Sequence, residues 1–137
     1  IEEIYEPFES IKLDFPNSNQ ELKVYGDESQ LKRLMQNLLI NAFKHAKSKV
    51  RVEITGHSIT VHDDGEGIPQ DQRERIFSPF VRLDSSRNKK TGGFGLGLAI
   101  IERIVRLHHA NIRVIESPLG GAAFIVTFPS LPRVEKP

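Results

Sequence analysis

The 137-residue chain carries 19 Lys and Arg against 18 Asp and Glu, and a net charge of +1 leaves no overall field to draw it onto nucleic acid or an anionic membrane. Without cysteine it can form neither a disulfide nor a thiolate metal site, and 38% hydrophobic with 27% charged residues is the balance of one ordinary globular domain with its own core. No apolar run approaches the length of a membrane span, and a start at Ile1 rather than Met reads as a fragment of a longer protein.

Ile1, Ile4, Tyr5 and Phe8 have a helix-like spacing interrupted by Pro7, so residues 1–10 are expected to be the end of an upstream helix. Alternation of Ile11, Leu13 and Phe15 against Lys12 and Asp14 predicts a short strand, and Leu22 to Tyr25 a second one after the turn at Pro16 to Asn19. Asp27 to Ala46 is the clearest helix. Asp27 is placed to cap it, and Leu31, Leu34, Met35, Leu38, Leu39, Ala42, Phe43 and Ala46 form an unbroken apolar stripe. At about 100° per residue, Gln30, Arg33, Asn37, Asn41, Lys44 and His45 gather on the opposite third of the circumference. Asparagine is a mediocre helix former. Two of them one turn apart, followed by Lys44, point to chemistry, although a plain solvated face would have the same polarity.

Val50 to Thr55 and Ile59 to His62 alternate about the turn at Gly56 to Ser58, which makes a hairpin with one buried face. The alternation puts Asp63 on the same face as Ile59 and Val61. A carboxylate ending an apolar strand face either closes the next turn or recognises something in a pocket. Asp64 to Pro69 breaks the strand, Gln70 to Phe77 reads as a short helix, and Asp84 to Thr91 is basic and without periodicity. Thr91 to Ile101 then packs four glycines (Gly92, Gly93, Gly95, Gly97) ahead of an apolar helix expected from about Leu96 to His108. Glycine allows close backbone approach, and a glycine-rich loop feeding a helix N-terminus is a ready anion site. Asn111 to Glu116 and Ala122 to Phe128 form a closing hairpin, and residues 129–137 a tail, with no domain boundary inside 1–137.

Asn37, Asn41, Lys44 and His45 resemble the N box of sensor histidine kinases. Asp63, Asp64, Gly65, Glu66, Gly67 and Ile68 resemble their first glycine box, Phe77 to Phe80 the F box, and Gly93, Phe94, Gly95, Leu96, Gly97 and Leu98 the second glycine box, all in the family's order. The resemblance covers residues 22–128. It implies an ATP-binding catalytic domain with the Bergerat fold, an α+β two-layer sandwich in which a mixed, mostly antiparallel sheet packs on about three helices beneath a mobile ATP lid. It further implies that Asp63, with Gly65, Gly67 and Ile68 around it, receives adenine, and that Asn41 with Asn37 holds Mg²⁺. Lys44, Arg82, Arg87 and the backbone from Gly93 to Leu98 would take the phosphates, with Asn37, Lys44, Arg82 and Arg87 serving phosphoryl transfer.

His45 stands where the family often has Tyr, and Phe94 where it often has a small polar residue, so the roles of both stay open. Arg82 and Arg87 could equally be solvated lid charges. Lys89 and Lys90 read as solvated, Phe77 and Phe80 as packing residues. His57, His62, His108 and His109 have no metal-like grouping and read as structural or exposed.

Two absences sharpen the expectation. Gyrase-like relatives carry a water-activating Glu four residues before the metal-binding Asn; here that residue is Asn37, which cannot serve as a base. None of the five histidines lies on a predicted helix with the acidic neighbour and nearby Pro of the family's phosphoacceptor. The phosphoacceptor and dimerisation domain is therefore expected outside this chain. The implied partners are that helical domain and a response regulator, the implied ligands ATP or ADP with Mg²⁺. The expected location is the cytoplasmic side of a membrane-bound, homodimeric parent, with this fragment a monomer. The competing readings are a related ATPase or anti-sigma-type serine kinase, against which Asn37 and the long basic lid count, and a non-catalytic binding module, against which Asn41, Asp63 and the glycines count.

Overall fold

The computed structural model of the chain describes residues 11–16, 21–77 and 93–130, the last span with side chains from residue 97. Strand β1 (Lys12–Asp14) is followed by helix α1 (Glu28–His45) and by the hairpin β2 (Lys49–Thr55) and β3 (Ser58–Asp63). Two 3-10 turns (Gln70–Gln72 and Arg75–Phe77), helix α2 (Gly93–Leu107) and the hairpin β4 (Asn111–Glu116) and β5 (Ala122–Thr127) complete it. The five strands form one sheet in the order β1-β2-β3-β5-β4; β1 runs parallel to β2 and every other neighbour is antiparallel.

Helix α1 starts where its sequence provides a cap. Asp27 is extended, and its Oδ1 accepts the Gln30 N–H at 3.0 Å and the Ser29 hydroxyl at 2.9 Å. Glu28 in the first turn and Lys44 and His45 in the last suit the helix dipole, and Ala46 leaves the helix in extended conformation while still donating to Ala42. The apolar stripe is buried through Leu34, Leu38 and Ala42, each about 1.5–3 kcal/mol or less of hydrophobic stabilisation according to size. A second fastening joins the helices at their far ends. The Asp27 N–H donates to His108 Nε2 at 3.1 Å, while His108 Nδ1–H donates to the Ile104 carbonyl at 2.8 Å, so both ring nitrogens are used in one tautomer.

The register explains the core. Val52 faces Val61, Ile54 faces Ile59, Val61 faces Phe124, and Val114 faces Phe124 in turn, all on the side covered by the helices. Leu98, Ile101, Ile104 and Val105 of α2 close the same core. Phe77 meets Phe124 edge-on, at 6.2 Å and 88° between rings. This is the expected sandwich; among the described residues its helical layer is two α-helices and two 3-10 turns.

Three local expectations differ. Residues 21–25 form no strand; Leu22 and Val24 are half-buried against the core while their neighbours are exposed, and β1 already pairs with β2. The alternation there reports burial without a ladder. Gln70 to Phe77 divides into two 3-10 turns, because only Ile76 in that span is buried and nothing apolar anchors a continuous helix face. Helix α2 begins at Gly93, three residues before the expected start, so the glycines from 93 to 97 lie inside its first turn and a half. The expected helix end at residues 1–10, most of the expected turn at Pro16 to Asn19, the expected basic loop from Asp84 to Thr91 and all but the first two residues of the expected tail at 129–137 lie outside the described residues.

Candidate functional site

The site is built where the C-terminal end of α1, the turn after β3 and the β4–β5 turn come together. Asp63 ends β3 on its inner face and is 2% exposed. Its Oδ1 accepts the Gly65 N–H at 2.9 Å and the Ala122 N–H at 3.3 Å, and its carbonyl accepts the Gly121 N–H at 3.2 Å. Among the described residues nothing donates to Oδ2. Burial pushes the carboxyl above the usual carboxylate range, only partly offset by the Gly65 and Ala122 amides. Both sequence readings of Asp63 therefore apply: one oxygen closes the turn, and the other is left for an external donor.

Two glycines are required by proximity. A Cβ on Gly65 would overlap the His45 carbonyl, and one on Gly121 would overlap Asp63 Oδ1. The end of α1 thus touches the Asp63 turn through bare backbone. Asp64 makes the joint firm. Its Oδ1 accepts the amides of Lys47 (2.8 Å), Ser48 (3.0 Å) and Lys49 (3.1 Å), and its Oδ2 accepts the Ser48 hydroxyl at 2.6 Å. Burial raises this carboxyl, but the Ser48 hydroxyl and the amides of Ser48, Lys49 and Lys47 outweigh it and hold the group well below the carboxylate range. Gly67 follows with φ +80° beside Gly121, and Ile68 is core, 5% exposed.

On α1, Asn41 is buried and its Nδ2 has no partner among the described residues, an uncommon state for a buried amide. Asn37, one turn earlier, is half-buried and donates from Nδ2 to the Arg33 carbonyl at 2.8 Å. Lys44 is exposed, and His45 is half-buried. Burial first, then the neighbouring Lys44 charge, hold the His45 ring below the ordinary histidine range against the pull of Glu66, so at neutral pH it is uncharged.

Helix α1 packs on both β3 and α2. The second glycine-rich stretch enters as the start of α2, where the N–H groups of Gly93, Phe94 and Gly95 have no intrahelical acceptor. Gly97 is half-buried with open space where a Cβ would sit, and Leu98 is fully buried, so its side chain anchors the helix in the core. Arg82, Arg87, Lys89, Lys90 and Phe80 lie outside the described residues; Phe77 packs on Phe124, as expected of a packing residue. Sequence reasoning missed Gly121, Ala122 and the structural part played by Asp64. Their partners lie far away along the chain, and only the glycine pair at 120–121 hinted at a close approach.

Chemically, the site offers a buried carboxylate oxygen for an amine donor, neutral amide side chains on one helix, an exposed ammonium and a row of free N–H groups. Among the described residues no cluster of His, Asp and Glu could cage a metal. Neutral amide oxygens suit a hard cation that keeps its waters and takes charge balance from its ligand's phosphates. The Asn41 atom left without a partner among the described residues is Nδ2, a donor, which suits an oxygen of such a ligand's phosphates, while its side-chain oxygen is of the type that would hold the cation.

Residues 26–132 match the family model described as histidine kinase-, DNA gyrase B-, and HSP90-like ATPase. Over 124 residues the chain is 36% identical to the sensor histidine kinase CpxA of Escherichia coli K12, covering 88% of this chain and 27% of that protein. The chain thus spans about a quarter of the length of the curated relatives it matches. Its fold is similar to that of the mycobacterial sensor histidine kinase MprB, with a TM-score of 0.75 and 27% identity over 93% of this chain and 87% of that one. It is also similar to full-length ShkA solved with AMPPNP, with a TM-score of 0.70 and 29% identity over 93% of this chain and 28% of that one.

Proposed function

We propose, from the premise that this chain belongs to the histidine kinase-, DNA gyrase B- and HSP90-like ATPase family, that it presents ATP for transfer of the γ-phosphoryl group to a histidine on another domain of its parent. The chain is the ATP-binding catalytic domain of a sensor histidine kinase. The observation that carries the site assignment is Asp63, a buried carboxylate with one oxygen held by two amides and the other without a donor among the described residues. In this reading Oδ2 accepts the exocyclic amine of adenine, Gly65, Gly67 and Ile68 shape the slot, and neutral His45 flanks it. Asn41, with Asn37, would hold Mg²⁺, which when bound neutralises phosphate charge. Lys44, Arg82, Arg87 and the first-turn amides of Gly93, Phe94 and Gly95 would receive the phosphates, whereas the expected amides of Leu96, Gly97 and Leu98 are engaged within α2.

The same residues argue for transfer over hydrolysis. Asn37 is neutral, and its amide already binds the Arg33 carbonyl, so it supplies no base for water. Phosphoryl transfer runs on positioning and charge neutralisation, and the acceptor can come from a separate helical domain. That domain and a response regulator are the proposed partners, in a homodimeric parent anchored in a membrane with this domain on the cytoplasmic side. No described helix of this chain is long and apolar enough to cross a membrane.

Calorimetric titration with Mg-ADP tests the site. Binding by the wild type that is lost in Asp63→Asn and in Asn41→Asp supports the assignment, and unchanged binding in both rejects it. Joined to its upstream domain and given ATP, the chain should yield an acid-labile, base-stable phosphoprotein. A stable phosphoserine, or steady ATP hydrolysis by this chain alone, would overturn the histidine kinase reading.

A further inference from the structure

On the outer face of the sheet lies a buried polar chain that the nucleotide site does not use. His62 is 6% exposed and Ser117 3% exposed. His62 Nε2 lies 2.6 Å from Glu53 Oε1, and His62 Nδ1 lies 2.8 Å from Ser117 Oγ. With the ring neutral, Nε2–H donates to the carboxylate, which leaves Nδ1 to accept the Ser117 O–H. The Ser117 oxygen in turn accepts the Leu119 N–H at 3.1 Å. Carboxylate, imidazole and hydroxyl are the parts of a nucleophilic triad, but this hydroxyl is buried and engaged on both sides, so it attacks nothing.

The position of the chain gives it another task. Glu53 lies on β2, His62 on β3, and Ser117 opens the β4–β5 turn. That turn is closed by the Ser117 N–H on the Gly121 carbonyl (2.8 Å) and the Gly120 N–H on the Ser117 carbonyl (2.9 Å). Its far end supplies two of the three amides on Asp63: Gly121 to the carbonyl and Ala122 to Oδ1. His62 directly precedes Asp63 and points to the opposite face. The hydroxyl link thus fastens the turn to the strand one residue from the carboxylate that the turn orients.

We propose that Glu53, His62 and Ser117 form a positioning clamp that sets the rotation of the Asp63 carboxylate, and so the selectivity of the site for a purine bearing an exocyclic amine. The proposal rests on the reading of Asp63 as the adenine acceptor. The Ala122 bond to Oδ1, at 3.3 Å, is the longer of the two that fix the carboxylate and is the one a loosened turn would lose first. Without it the carboxylate can rotate, and an amine donor loses its preset acceptor. A ligand with a carbonyl in place of that amine has nothing to lose.

The test compares Mg-ADP with Mg-inosine diphosphate by calorimetry, in this chain and its variants, with melting temperature measured alongside. Ser117→Ala and His62→Ala should weaken ADP by about three- to tenfold, as expected for one neutral hydrogen bond, and leave inosine diphosphate unchanged. His62→Asn, which restores an acceptor near the Nδ1 position, should recover most of the ADP preference. A change in packing alone would weaken both ligands together and would not be rescued by Asn. Wild-type ADP-to-inosine-diphosphate ratios in Ser117→Ala and His62→Ala, where Asp63→Asn has lost ADP binding, would overturn the clamp alone. Undiminished ADP binding by Asp63→Asn would instead overturn the site reading on which the clamp rests.

Discussion

Replacing Asp64 by Ala removes the acceptor of three successive amides and a hydroxyl at the joint between α1 and β2. A buried charge-assisted hydrogen bond is worth about 1.5–3 kcal/mol. Asp64 is only half-buried and Lys47 and Ser48 are exposed, so water replaces much of the loss and the set together should be worth about 2–3 kcal/mol. For a domain of this size that lowers the melting temperature by roughly 6–12 °C. Asp64→Asn keeps an oxygen for the three amides on Oδ1 and loses the charge and the Ser48 hydroxyl, so it should cost about half as much.

The pH dependence has a definite sign. The folded carboxyl titrates below its ordinary 3.8, so the unfolded chain binds the proton more readily. The stabilisation is complete above about pH 5 and is lost as pH falls through 3.8 toward the folded value. Urea denaturation of wild type, Asp64→Ala and Asp64→Asn between pH 3 and 8 measures it. Equal stability of wild type and Asp64→Ala at pH 7, or a gap that widens toward pH 3, would refute the reasoning.

Asp63 should behave oppositely. Its carboxyl is raised by burial, so its charge opposes folding at neutral pH; Asp63→Asn, which keeps an oxygen for Gly65 and Ala122, should raise the melting temperature of the nucleotide-free domain by a few degrees while adenine binding is lost. That gain should shrink as pH falls toward 3.8 and vanish below it, where the wild-type carboxyl is protonated in both states. Gly97→Ala meets no atom within 4 Å and sits inside a helix, so by calorimetry and melting it should stabilise by up to about 1 kcal/mol while weakening ADP. Gly121→Ala drives a Cβ into Asp63 Oδ1, and titration should find ADP binding lost even where circular dichroism shows a folded chain.

How much of this could be read from the chain depended on where each residue's partners lie. The α1 stripe of Leu34, Leu38 and Ala42 faces the core as its period requires, and Asp63 was visible as a carboxylate ending the apolar alternation of Ile59 and Val61. Local periodicity carries that information. Asp64 looks no different from Asp63 in sequence, yet its partners are amides 15–17 residues away. Ala122 reaches Asp63 across 59 residues, and a backbone N–H bears no mark of residue type. Residues 22–25 carry a strand's alternation but join no ladder among the described residues, so hydropathy alone misassigned them. Gly93 to Gly95 read as a loop, yet they form the first turn of α2, with Leu98 and Ile101 anchoring the turns that follow.

His108 gives α2 a mechanical character. Its ring joins the last turn of α2 to the first N–H before α1, so the two helices are riveted at the end remote from Asn41 and Lys44. The glycine-rich end of α2 is about 20 Å along the axis from that rivet. Load applied by a ligand near Gly93 would therefore be carried along a helix held on the core by Leu98, Ile101, Ile104 and Val105 and pinned at its far end by His108.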